Sequence, residues 1–285
     1  MSILSQNNSS FPSKLKQSRI SRLYYKGNVR LLENKAIAIV GSRNLSEYGK
    51  NIALFFSSHL SKQGYTIISG LATGIDTCSH LGALEGEGNT IAVLPSGINQ
   101  IYPKENISLA EEIVEKGGLL VSEYEDNTKV QLKGFSKRNE LIALLSDCIL
   151  IVEADERSGS TITARQGFKH GIPVFCIPGR IGDIHSNGTN LLISQGANIV
   201  MDPQMIIDYL ESELKNDEID KKDLEFEKLN DESDGIFSLI NYKPISIDEI
   251  VKKSELYISA INERLLILEI NGVIKKLPGE KYVLC

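Results

Sequence analysis

Residues 36–49 read AIAIVGSRNLSEYG, an apolar run that ends in a loop of small and hydroxylated residues and leads into a helix pattern. The arrangement recurs in residues 65–76, YTIISGLATGID, and in residues 148–164, CILIVEADERSGSTITA. One such loop is weak evidence, since any strand-to-helix connection favours glycine and serine. Three are informative, because parallel strands deliver their following loops to one sheet edge, where helix N-termini attract phosphate. This pattern predicts a phosphate track along that edge.

Between residues 35 and 202, short apolar runs alternate with helical patterns at 46–63, 106–116, 139–146 and 160–169. The near-continuous hydrophobicity of the runs is typical of parallel strands covered on both faces. The sequence therefore predicts a doubly wound, mostly parallel Rossmann-like α/β domain. The strand candidates are AIAIVG, YTIISG, TIAVLP, GLLVSE, CILIVE, PVFCIP and NIVM.

Charge is distributed unevenly along the 285 residues, whose net charge is −6. Residues 1–34 carry six Lys or Arg and one acid, which predicts a basic N-terminal extension that is partly disordered, except at Leu23-Tyr24-Tyr25, which can pack on the sheet domain. Residues 211–234 carry four basic and eleven acidic side chains, which is typical of a solvated linker. Residues 35–210 are expected to form the Rossmann-like domain, and any nucleic-acid site on it should be a local pocket, because no broad basic face is present.

The C-terminal residues 235–285 are expected to form a small winged-helix domain. Three short amphipathic patterns, at 235–241, 247–253 and 259–270, precede two short strand candidates on either side of Pro278-Gly279. The third pattern, in the position of a recognition helix, has Arg264 as its one cation, beside Glu263 and Glu269. That charge pattern is poor for a major groove.

Several classes of protein are disfavoured by what the sequence lacks. No run of about 18 apolar residues is present and the N-terminus is polar, so a cytoplasmic protein without a membrane partner is expected. The four cysteines have no CxxC spacing and the four histidines are scattered, so neither a metal nor a cofactor is expected. Neither Walker A nor GxGxxG occurs, which disfavours a nucleotide triphosphatase or a standard dinucleotide oxidoreductase.

Each of the three loops offers groups that suit a phosphate, although the same residue types also form ordinary turns and helix caps. In the first, a glycine lets an anion approach the backbone and an arginine can hold it bidentately. The second has no charge before Asp76, which is expected to cap a helix or fix the loop. The third joins hydroxyls to a helix N-terminus. The predicted binding residues are Gly41, Ser42, Arg43, Ser69, Gly70, Thr73, Gly74, Arg157, Ser158, Gly159, Ser160 and Thr161.

A fourth segment, expected to precede the helix that leads into CILIVE, places an aromatic ring beside two cations and an amide: Phe135, Lys137, Arg138 and Asn139. This mixture suits single-stranded nucleic acid, whose phosphates meet the cations and whose bases stack or accept hydrogen bonds. Packing in the core is the alternative for Phe135. No catalytic residue is predicted.

At these residues the sequence resembles the DNA processing protein A family (DprA, or Smf), in order and spacing from about residue 24 to residue 202. The resemblance rests on AIAIVGSR, SGLATGID, TIAVLPSGINQIYPKEN, GLLVSEY, FSKRNELIALLS, VEADERSGSTITA and VFCIPG. It implies a single-stranded DNA-binding protein of natural transformation that protects incoming strands, helps load the recombinase RecA and often dimerises through the Rossmann-like domain. It also implies that the DNA pocket comprises residues 41–43, 69–70, 137–139 and 158–161.

Two positions depart from the family pattern. Thr73 and Glu140 stand where the family commonly has arginine, so both remove positive charge from the predicted track. Phosphate binding is largely counterion release, and a weaker or more salt-sensitive affinity is therefore expected.

Two other functions remain as alternatives. A related Rossmann-like group, the lysine-decarboxylase-like phosphoribohydrolases, uses a PGGxGT loop with a following glutamate. Residues 158–163 contain no such glutamate. The second alternative is a transcription regulator that senses a phosphorylated metabolite and reads duplex DNA through the winged helix, with Lys275, Lys276 and Lys281 in its wing.

Overall fold

All seven strands that the sequence predicts between residues 35 and 202 are present. Two further strands precede them in the chain. The computed structural model describes residues 2–8, 10–156, 158–212, 236–241, 243–254, 256–270 and 272–284. The first nine described strands are β1 Ser2–Ser5, β2 Arg22–Gly27, β3 Ala36–Val40, β4 Thr66–Ser69, β5 Thr90–Val93, β6 Leu119–Ser122, β7 Cys148–Ile151, β8 Val174–Cys176 and β9 Asn198–Ile199.

These nine strands form one sheet in the order β1-β2-β6-β5-β4-β3-β7-β8-β9. From β6 to β9 all neighbours are parallel, while β1 and β2 add an antiparallel edge. The helices of this unit are α1 Glu47–Lys62, α2 Ile75–Glu85, α3 Ile107–Glu115, α4 Leu132–Leu145, α5 Gly159–Lys169, α6 Asn187–Ser194 and α7, residues 203–212. The predicted doubly wound, mostly parallel α/β fold is confirmed.

Alternate side chains of the central strands point to opposite faces of the sheet, as their period of two requires. Ala36, Ala38 and Val40 pack in one apolar core with α4 and α5. Ile37 and Ile39 pack in the other with α1 and α2. A sheet covered on both faces buries every residue of its central strands, which explains why β3, β4 and β5 read as continuous apolar runs.

The prediction that residues 1–34 form a partly disordered extension is wrong. β2 pairs antiparallel with β6, β1 pairs with β2, and Phe11, Leu15 and Leu23 are fully buried in the same core as α4. The described residues of this segment belong to the same compact unit as the rest of the sheet, which ends at Leu210. The segment is polar in composition because its strands lie at the sheet edge, so only a few apolar anchors are needed.

The sheet reverses its strand order at β3, which has β4 on one side and β7 on the other. Ligands of open α/β sheets bind at such a switch point, in the crevice outside the carboxyl ends of the strands. The three sequence segments quoted first therefore supply three neighbouring strands, and their loops converge at one edge.

The second unit has its own apolar core, which includes Ile250, Leu265 and Tyr282. Among its described residues, a three-stranded sheet in the order β10-β12-β11 packs with two helices. The predicted helix at 235–241 is a single 3-10 turn, Phe237–Leu239, in the part described. The linker expected at 211–234 lies outside the described residues from position 213 onward. The elements are β10 Ile245–Ser246, α8 Ile247–Ser254, α9 Ile258–Ile270, β11 Ile274–Leu277 and β12 Lys281–Leu284.

In the part of the chain that the structure describes, no helix combines the length and apolar character needed to cross a bilayer.

Candidate nucleic-acid interface

A cleft of about 550 Å³ opens at the switch point, between the loops that follow β3 and β7 and the N-terminal half of α4. A second cleft of about 230 Å³ shares Arg43, Ala72, Phe135 and Arg138 with it, so the two form one groove. Predicted residues that line the first cleft are Gly41, Ser42, Arg43, Phe135, Arg138, Asn139, Ser158, Gly159 and Ser160. Predicted residues that line only the second are Gly70 and Thr73.

Arg43 is the exposed cation of this groove. Its guanidinium carbon lies 5.3 Å from the ring centroid of Phe135, and that of Arg138 lies 6.0 Å from the same ring. Phe135 is half-buried on α4, and its ring therefore orients two guanidinium groups through cation–π contacts. A guanidinium held against one aromatic ring still offers its N–H groups to phosphate.

The first and second loops are fastened to each other by their own backbone. The amide of Ser42 donates to the Glu153 carbonyl at 2.8 Å, and the amide of Ile75 donates to the Ser42 carbonyl at 3.1 Å. Gly74 has φ +86°, and a Cβ there would overlap the carbonyl oxygen of Ser42 and the backbone of Arg43. Gly74 therefore joins the loops rather than lining the groove.

Asp76 organises the loop after β4. Its Oδ2 accepts from the amides of Gly70 at 3.2 Å and Ala72 at 3.4 Å, and the amide of Gly41 also donates to the carboxylate. Burial raises the pKa of this carboxyl, while Arg138 and the amides oppose that rise. These three amides already have an acceptor and are not available to an anion, while phosphate binding by the other groups of the first two loops stays a prediction.

Ser69 is also a support and not a ligand. It is fully buried, and its hydroxyl donates to the Ile39 carbonyl at 2.7 Å, which links β4 to β3. The sequence could not separate this role from binding, because a serine at the end of a strand reads the same in both cases.

Arg138 and Asn139 lie inside α4, which begins at Leu132 and not near residue 139 as predicted. Both are 6% exposed. The Arg138 Nε donates to Asn139 Oδ1 at 2.8 Å and its Nη1 donates to the Gly70 carbonyl. Asn139 Nδ2 donates to the Gly159 carbonyl at 3.1 Å. The two side chains thus tie α4 to the second and third loops.

The third loop presents unpaired amides. Ser158 precedes α5, and Gly159 and Ser160 occupy its first turn, where backbone N–H groups have no partner within the helix. Neither amide has a hydrogen-bond acceptor among the described residues. The hydroxyls of Ser158 and Ser160 lie 2.5 Å apart. Unpaired amides at a helix N-terminus are groups that attract phosphate, and phosphate binding by this loop stays a prediction.

Thr161 and Lys137 line neither cleft. Thr161 is buried and its hydroxyl donates to the Ser158 carbonyl at 2.8 Å. Lys137 is exposed, but its Nζ lies 5.8 Å from the Tyr124 ring centroid, away from both clefts. Arg157 lies outside the described residues.

Thr73 and Glu140, the two positions that depart from the family pattern, have different surroundings. Thr73 is exposed at the second cleft. Glu140 lies 3.8 Å from Lys169 Nζ and 3.5 Å from His170 Nε2, on the side of α4 that packs with α5 and outside both clefts. Only Thr73 therefore alters the charge of the groove itself.

Sequence reasoning missed Tyr102, Glu105, Asn44 and His185, all of which line the groove. Tyr102 and Glu105 belong to the loop after β5, in the quoted motif TIAVLPSGINQIYPKEN. Because β5 is parallel to β3, β4 and β7, its following loop must reach the same edge of the sheet. The parallel pattern could therefore have indicated Tyr102 and Glu105.

The fold and site together define a class: a Rossmann-like α/β protein with a polar groove at its switch point, joined to a winged-helix unit. The family model of DNA recombination-mediator protein A matches residues 2–211, and that of the DprA winged helix domain matches residues 223–280. The chain therefore belongs to the DNA recombination-mediator protein A family.

Among similar proteins, Protein Smf of Escherichia coli is 42% identical over 189 residues, which cover 66% of this chain and 50% of that protein. DNA processing protein DprA of Bacillus subtilis is 39% identical over 189 residues, covering 66% and 63%. The chain spans between half and two thirds of the length of these two relatives.

Two solved structures share the fold. DNA processing protein A from Streptococcus pneumoniae has a TM-score of 0.69 at 36% identity, covering 73% of each chain. A structure of DNA processing protein A from Helicobacter pylori, described as giving insight into its single-stranded DNA binding mode, has a TM-score of 0.65 at 33% identity and covers 75% of this chain and 96% of that one.

Proposed function

We propose that this chain binds single-stranded DNA along the groove and serves natural transformation and recombination, protecting incoming strands and helping to load RecA onto them. One observation carries the proposal. Exposed Arg43 and the free amides of Gly159 and Ser160 line one cleft at the switch point of the sheet. A guanidinium and helix-terminal amides are the groups that hold phosphate, and they carry no sequence preference.

The geometry also supports a single strand over a duplex. The phosphate-binding groups lie inside a cleft, and aromatic rings line the same groove, which suits unpaired bases. The Helicobacter pylori relative is described as a binder of the same ligand. We assign the chain binding and not catalysis.

Two partners belong to the proposal by family membership. RecA is the recombinase that would receive the strand, and a homodimer through the Rossmann-like unit would place two grooves in one particle. The β9 edge supports the dimer, because Ile199 and Met201 are 47% and 71% exposed there. Sedimentation of the full chain should give a dimer that Met201→Glu converts to a monomer. A monomer at all concentrations would remove the dimer from the proposal.

Oligonucleotide binding tests the central claim. Fluorescence anisotropy at two salt concentrations should show tighter binding of a single strand than of a duplex. Arg43→Ala should weaken binding of every single-stranded sequence by about 1–3 kcal/mol and reduce the slope of log K against log salt by about 0.7, the value for one lost phosphate contact.

A matched control is available at the opposite edge of the sheet. Arg30 is also exposed and precedes β3, so Arg30→Ala removes the same charge without touching the groove. We expect its affinity and salt slope to equal those of the unaltered chain. Equal behaviour of the two variants would mean that the DNA lies elsewhere.

A further inference from the structure

The groove has two ends of different chemistry, and the second cleft is not built for phosphate. Two of its backbone donors are already used, since the amides of Gly70 and Ala72 donate to Asp76. The Gly70 carbonyl accepts from Arg138. A carboxylate, Glu105, also lines this cleft, and it would repel a phosphate.

The same cleft is well suited to a single unpaired base. Tyr102 is 40% exposed. The ring centroids of Tyr102 and Phe135 lie 5.8 Å apart and the ring planes are inclined by 71°, which is an edge-to-face arrangement. The two rings therefore form a corner. A flat ring can stack on Tyr102 while Phe135, which already holds Arg43 and Arg138, closes one side. The volume of about 230 Å³ is smaller than that of a drug-sized site and fits one base.

Polar groups at the rim add a preference. Glu105 is exposed, and a carboxylate accepts hydrogen bonds and donates none at neutral pH. Carboxylates accept from the N4 amino group of cytosine. Thymine offers one N3–H between two carbonyl oxygens, and these oxygens repel a carboxylate.

We propose that the second cleft is a base-recognition subsite, in which Tyr102 stacks on one base of the bound strand and Glu105 favours cytosine over thymine. The inference rests on the proposed function, because it requires a strand whose phosphate lies in the first cleft. Arg43, which lines both clefts, stands between the phosphate end and the base end.

Two homopolymers of equal length, one of deoxycytidine and one of deoxythymidine, test the preference at neutral pH and fixed salt. The full chain should bind the cytosine strand about threefold or more tightly. Glu105→Gln should bring the ratio of the two affinities close to one, because an amide can both donate and accept. Glu33→Gln, an exposed site at the opposite sheet edge, should leave the ratio unchanged.

Stacking is tested separately from charge. Tyr102→Leu should weaken both strands about fivefold or more while leaving the salt slope unchanged, since a base–aromatic contact releases no counterion. If the chain binds single strands but the cytosine-to-thymine ratio is one, or is the same in the Glu105 variant, the subsite is wrong and the proposed function stands. If it binds no single strand, both fail.

Discussion

Arg138 carries a buried positive charge where α4 crosses the loops. Burial lowers the pKa of its guanidinium, and the nearby Asp76 carboxylate opposes that change. Arginine stays charged in proteins, so the guanidinium and the carboxylate compensate each other inside the fold. Two arginines of the groove therefore have distinct surroundings: Arg138 is buried and bonded to the loops, and Arg43 is exposed in the cleft.

This division predicts a coupled loss of stability. Arg138→Leu should lower the free energy of unfolding by roughly 3–5 kcal/mol, because Asp76 would be left buried without a counter-charge. Asp76→Asn in the same chain removes that charge, so the double variant should lose clearly less than the sum of the two single losses. Urea denaturation of all four proteins measures this. Strictly additive losses would show that the two groups do not interact.

α4 shows what periodicity could and could not predict. Its buried positions include 134, 138, 141, 142 and 145, a regular helical stripe. The sequence predicts this helix only from residue 139, because an arginine at position 138 is typical of an exposed site and interrupts the apolar stripe. Strands β3 to β9 were predicted because burial on both faces leaves an unbroken apolar signal. Which loop amides were free was not predictable, since their partners are far apart in the chain.

A buried histidine on α2, His80, contacts a threonine on β5. His80 is fully buried, and its Nδ1 lies 2.7 Å from the Thr90 hydroxyl. That hydroxyl donates to the Ile67 carbonyl at 2.8 Å, so it must accept from Nδ1–H. Nε2 is then unprotonated, and it has no partner among the described residues. Burial, aided by the positive Arg138, lowers the pKa of His80 from 6.5 to about 3.

Through His80, acid lowers the stability of the folded chain. The unfolded chain takes up a proton at His80 near pH 6.5, whereas the folded chain does so only near pH 3. Acid between these values therefore favours unfolding, by at most about 5 kcal/mol from this group. His80→Asn should be less stable at neutral pH but should lose less stability on acidification. Denaturant titrations between pH 7 and pH 4 measure both, and parallel pH profiles would exclude His80 as the cause.

At the scale of the molecule, the two units differ in what they offer to nucleic acid. In the second unit, Arg264 Nη1 lies 3.2 Å from the Glu263 carboxylate and also approaches the Ala260 carbonyl. The cation of α9 is thus compensated within its own helix. Leu266 and Ile270, 56% and 75% exposed, and the exposed Glu263 and Glu269 give that helix an apolar and acidic surface, not a basic one.

Duplex recognition by a helix in the major groove needs cations for the phosphates and polar side chains for the base edges. α9 has Arg264 as its one cation, which is paired with Glu263, and its exposed charged side chains Glu263 and Glu269 are acidic, while Lys275 and Lys281 on the hairpin supply only nonspecific contacts. We therefore expect residues 236–285 alone, which have their own apolar core, to bind duplex DNA with a Kd no tighter than about 10⁻⁶ M at physiological salt. A chain ending at residue 212 should keep the single-strand affinity of the full chain. Anisotropy titrations of the two fragments decide the matter, because submicromolar duplex binding by the first, or lost single-strand binding by the second, would place the DNA site in the winged helix.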